Sequence, residues 1–98
     1  MSFLVLCVID LKNALREDYL YVYSELATLG LRKIIKSENG PGFRLPSTAV
    51  LGTLEGRSVD EVRSFVGKKV QGILQSHSLK GDFFVVASHD WACAGESL

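Results

Sequence analysis

The run Phe3-Leu4-Val5-Leu6-Cys7-Val8-Ile9 is apolar at every position. It is short and rich in β-branched residues, which marks a strand buried on both faces. Alternation along a strand puts Phe3, Val5, Cys7 and Ile9 on one side and Leu4, Leu6 and Val8 on the other. Both sides must therefore be covered. It is far too short to cross a bilayer as a helix. No charged segment precedes it as in a signal peptide, and Asp10 is expected to close it.

The rest of the chain supplies the cover. A helix begins somewhere between Leu11 and Glu17; Tyr19, Val22, Leu26 and Leu29 mark its apolar stripe, Tyr23 and Ala27 widen it, and Gly30 stops it. Leu31 to Lys36 reads as a second strand, led by Ile34-Ile35. Glu38 to Pro46 holds Asn39-Gly40-Pro41-Gly42 and can only connect. Thr48 to Leu54 is a third strand. Ser58-Val59-Asp60-Glu61 has the form of a capping box opening a second helix, with Val59, Val62, Val66, Val70 and Ile73 on its inner stripe. Gly67 and Gly72 each weaken that helix by about 1 kcal/mol relative to alanine, so packing must hold it. Lys80-Gly81-Asp82 turns the chain into a fourth strand, Phe83 to Ser88, and residues 89–98 form a tail anchored by Trp91.

The order β-α-β-β-α-β predicts an α+β, ferredoxin-like sandwich: a four-stranded antiparallel sheet with both helices on one face. At 98 residues the chain makes one domain, residues 1–98. Two helices cover one face only. The second face, apolar in the first and fourth strands, is expected to be covered by a second copy in a two-fold homodimer, with Trp91 as a further cover.

Charge narrows the partners. Eleven basic and eleven acidic side chains cancel, which argues against a dedicated nucleic-acid coat but leaves room for a local basic patch. Arg32, Lys33, Lys36 and Arg44 are four cations against the single carboxylate of Glu38 between positions 31 and 44. They can grip an RNA or DNA backbone, and Phe43 can stack on a base. Equally, lysines on an edge strand discourage unwanted pairing, and Phe43 can pin its loop to the sheet. Gly40-Pro41-Gly42 lacks the lysine and helix start of a phosphate-binding loop. Asp10, at the end of a central strand, either terminates that strand or meets its symmetry mate to hold magnesium or manganese. The serines lie in no nucleophile motif. His77, His89, Asp90 and Cys93 lack metal-ligand spacing, and Arg63, Lys68 and Lys69 read as a solvated helix face. Two cysteines, Cys7 and Cys93, make no disulfide framework, and a soluble cytoplasmic setting is expected.

The pattern Leu6-Cys7-Val8-Ile9-Asp10, then a helix ending Leu26-Ala27-Thr28-Leu29-Gly30-Leu31, resembles the opening of the small dimeric nucleases of CRISPR spacer acquisition. In length and layout the chain is also similar to the GhoS family of type V antitoxins, which cleave a toxin's messenger RNA. The shared features are the strand-end aspartate, the Tyr19 to Leu29 helix, Gly-Pro before strand three, Glu61, and the His89-Asp90-Trp91 tail. The resemblance implies a metal-dependent endoribonuclease. Asp10 stands at the metal-binding aspartate, and Arg32, Lys33 and Lys36 stand at the basic positions of strand two. It also implies a toxin–antitoxin role. The alternative is a non-catalytic homodimer that binds a protein or senses a small molecule.

Overall fold

A computed structural model describes residues 1–35, 43–45 and 48–92, with the side chains of Ile35 and Phe43 left aside. The elements run β1 (Ser2–Leu11), α1 (Arg16–Thr28), β2 (Ile34–Ile35), β3 (Phe43–Arg44), β4 (Ala49–Glu55), α2 (Val59–Ser76) and β5 (Gly81–Ser88). The apolar run sits at the centre. β1 pairs antiparallel with β4 on one side and β5 on the other, giving a three-stranded sheet ordered β4-β1-β5. Two helices and an open antiparallel sheet make an α+β fold compatible with a ferredoxin-like arrangement.

The second strand differs from its expected place. It does not line the sheet edge as a fourth strand among the described residues. It touches the sheet in one antiparallel bridge, Arg32 to Leu51, whose two amide–carbonyl bonds are each 2.9 Å. Beyond that bridge Ile34–Ile35 turn away and pair with Phe43–Arg44 as a separate two-residue ribbon. The partner of Ile34–Ile35 is thus the nearby Phe43–Arg44 and not the sheet edge. Asp10 also corrects its reading as the strand's end: β1 runs through Leu11, with Asp10 in register opposite Asp82.

Burial along β1 alternates as its pattern requires. Phe3, Val5, Cys7, Ile9 and Leu11 are buried, and they pack with Val22 and Leu26 of α1 and Val62, Val66, Val70 and Leu74 of α2 in one core. Both helices therefore lie on this face. α1 starts where the amide of Leu15 donates to the Asp18 carboxylate at 2.9 Å; leucine has no side-chain acceptor to return the bond. It ends in a Schellman turn: Gly30, at φ +96°, donates to the Ala27 carbonyl, and Leu31 donates to Leu26. Leu31 is buried in the same core as Leu26. α2 is capped by Ser58, whose hydroxyl accepts from the Glu61 amide at 3.1 Å. The Glu61 carboxylate accepts instead from the Arg57 amide, so only half of the expected capping box forms.

Burial raises the Cys7 thiol to about 11 from its ordinary 9.0. The unfolded chain releases this proton first as pH rises, so the folded state loses stability between pH 9 and 11. Urea titrations should show a loss of about 2 kcal/mol across that window, absent in Cys7→Ala measured against its own neutral-pH value. An identical pH slope in both chains would refute the assignment.

Candidate functional site

The opposite face of the sheet carries Leu4, Leu6, Val8 and Asp10 from β1, and register sets their neighbours. Val86 faces Leu6, Phe84 faces Val8, and Asp82 faces Asp10 on β5; Leu51 and Ala49 face Leu6 and Val8 on β4. Among the described residues no helix covers this face; Leu51, at its β4 side, is nonetheless buried. Val8 is 38% exposed, Val86 41% and Phe84 67%. The expected bare apolar second face is present, and its middle is the aliphatic and aromatic cluster of Val8, Phe84 and Val86.

Charge gathers at the borders of this cluster. Asp10 and Asp82 form an exposed cross-strand pair at one end. Like charges directly opposite are unfavourable in an isolated sheet, so the pair has no role in holding the strands together. Gly81 sets its position: a Cβ there would collide with the Asp10 carbonyl and lie 2.8 Å from the Leu11 Cα. Only glycine lets β5 come that close and bring Asp82 beside Asp10. Sequence reasoning missed Asp82, because Lys80-Gly81-Asp82 reads as a turn until the β1–β5 register is known.

Arg32 lies on the same face at the β4 border, since bridge partners share a face and Leu51 is its partner. Strand spacing puts its Cα about 16 Å from that of Asp10. The two therefore belong to separate borders and do not converge on one atom. Lys33 turns to the other side. Its ammonium donates to the Ala49 carbonyl at 3.0 Å and lies 4.9 Å from the centre of the Tyr23 ring. Burial, with Arg44 nearby, lowers its pKa. Burial likewise raises that of Tyr23, with Tyr19 adding to the rise and Arg44 opposing it. Lys33 thus ties the segment leading to the ribbon onto α1 and β4. Arg44, on β3, is exposed. Among the described residues, no ion pair engages Arg32 or Arg44. Lys36 and the side chain of Phe43 lie outside the described residues, as does Cys93.

No family model and no curated protein matches the chain. Function is therefore read from the geometry of the bare face and its borders.

As a metal site, Asp10 and Asp82 offer two exposed carboxylates on facing strands. Mg²⁺ takes one or two carboxylates and completes its octahedron with water and phosphate oxygens, so the pair fits that minimal donor set. Among the described residues, no group of three or more His, Cys, Asp or Glu gathers to make a fuller one. His89 rests against Phe3, with ring centroids 5.7 Å apart, and His77 stacks on Tyr21 at 3.9 Å. Neither stands near the acidic pair in register. Trp91 is 49% exposed.

Proposed function

We propose that the chain is a homodimeric RNA-binding protein that cleaves RNA with Mg²⁺ or Mn²⁺ held at Asp10. The observation that carries this reading is the bare sheet face, with an apolar centre and charged borders. A desolvated apolar core inside a polar rim is the anatomy of a protein–protein interface. Two copies joined through Val8, Phe84 and Val86 bury that centre and leave the rim at the border of the pair. The rim then presents Arg32, doubled by symmetry, to the phosphates of a single strand, and Arg44 adds a cation from the ribbon beside Lys33 and Tyr23. Asp10 and Asp82 supply carboxylate oxygens for the cation, which when bound polarises a phosphate and activates water. Lys33 acts by fixing the ribbon that carries Arg44. Lys36 and Phe43 are the remaining proposed RNA contacts.

The test incubates the purified full chain with labelled single-stranded RNA, with Mg²⁺, with Mn²⁺ and with chelator, beside Asp10→Ala, Asp82→Ala and Arg32→Ala. Cleavage should need the metal and fall about a hundredfold or more in Asp10→Ala and Asp82→Ala, with melting temperatures unchanged or raised. Arg32→Ala should weaken RNA binding about threefold to tenfold and flatten its salt dependence. Cleavage that survives loss of both carboxylates would sink the assignment of the metal site. Absence of both cleavage and salt-sensitive RNA binding would sink the RNA reading and leave a homodimeric interaction module.

A further inference from the structure

On the far side of the molecule from the bare sheet face, α1 and α2 part to leave an open cleft of about 610 Å³. This falls within the volume range of small-ligand sites. Leu29 and Ile73 give it apolar walls, and Phe65, 45% exposed, adds an aromatic face. One end is tied by the Tyr21 hydroxyl, which hydrogen-bonds Ser76 at 2.8 Å while its ring stacks on His77.

Space and charge give this cleft its character. The space lies at Gly72 in its lining. A Cβ at Gly72 would meet no atom within 4 Å, so no contact inside the chain requires glycine there, and glycine costs an interior helical position about 1 kcal/mol. Its absent side chain leaves room for a foreign body to approach the helix. Lys68 and Lys69 line the cleft against the lone carboxylate of Glu25, and none of the ion pairs among the described residues joins them. The Lys69 ammonium lies 5.5 Å from the Phe65 ring centre, so cation and aromatic surface are adjacent. Lys68 and Lys69 are exposed, as a solvated face requires, and they also form one wall of a concave, net-positive, partly apolar cleft.

We propose that this cleft binds a small amphiphilic anion: an aromatic or aliphatic body that lies over Gly72 between Phe65 and Leu29, with a carboxylate, sulfate or phosphate held by Lys68 and Lys69. The proposal is independent of RNA binding and of dimerisation, since no residue it uses lies on the sheet.

1-Anilinonaphthalene-8-sulfonate, an anionic aromatic probe, tests it by fluorescence titration of the full chain. Gly72→Leu fills the cleft with a better helix former, so it should raise the melting temperature and yet weaken probe binding about tenfold or more. The double variant Lys68→Glu/Lys69→Glu should weaken binding by a similar factor while staying folded. Gly67→Ala removes the other open helical glycine, which is not among the cleft's lining residues, and should leave affinity within about twofold. Phe84→Glu, on the opposite sheet face, should also leave it unchanged. Undiminished binding in Gly72→Leu, or loss of binding in Phe84→Glu instead, overturns the proposal.

Discussion

Phe84→Glu is expected to sediment as a monomer at concentrations where the proposed wild-type dimer holds together. Phe84 is the most exposed large apolar side chain of the bare sheet face, and Val8 and Val86 are exposed beside it. In a two-fold pairing each substitution acts twice. A carboxylate placed in an apolar interface loses the ring's burial and carries its own desolvation cost, together about 3 kcal/mol per copy. Doubled to about 6 kcal/mol, that weakens association by roughly four orders of magnitude. Folding should be untouched, because the ring contributes nothing to the helix-side core. Analytical ultracentrifugation of both chains at about 50 μM, with circular dichroism as the check on folding, reads the outcome directly. A wild-type chain that is monomeric there would defeat the dimer.

The opposite kind of effect is expected at Gly52, where substitution should damage the fold itself. A Cβ on Gly52 would run into the Gly30 carbonyl and press on the Leu31 side chain at 3.2 Å. The obstacle is backbone, which cannot swing aside as a side chain can. Gly30 is itself fixed by the Schellman turn that ends α1. Gly52→Ala must therefore push the end of α1 away from β4, disturbing Leu31 in the core and the Arg32–Leu51 bridge next to it. Overpacking against backbone costs about 3 kcal/mol, which lowers the melting temperature of a domain this size by roughly 15 °C. A shift under about 3 °C would show that the close contact relaxes without cost.

The two glycines show why some of this architecture is readable in the chain and some is not. Gly30 announces itself, because it follows an apolar stripe of helical period, and Phe3 to Ile9 announces a central strand by its composition alone. Both helices, β4 and β5 are legible from period and capping, signals confined to a few neighbouring residues. Gly52 looks like an ordinary weak point in a strand until α1 is laid on top of it. Asp82 is legible only once β5 is placed against β1, more than seventy positions away in sequence. The ribbon Ile34–Ile35 with Phe43–Arg44 is too short to have a period, so its β-branched residues are visible without any sign of which strand they join. Lys33 reads as an edge-strand lysine or a phosphate contact, and the contacts that engage it come from Ala49 and Tyr23 on other elements. Local chemistry is written in local sequence; register and close approach are products of the whole fold.

The position of β1 also bears on how the chain is made. Among the strands of its sheet β1 is translated before the others, and both of its neighbours come later: β4 begins at Ala49 and β5 ends at Ser88. Until β5 is available, one whole side of β1 has unpaired amides and carbonyls beside exposed leucine and valine. Pairings of such long sequence separation form slowly, and an unpaired apolar strand is prone to join another chain. A nascent chain stalled before residue 81 thus exposes its most aggregation-prone element, and vectorial synthesis delays completion of the sheet until the last strand has been translated.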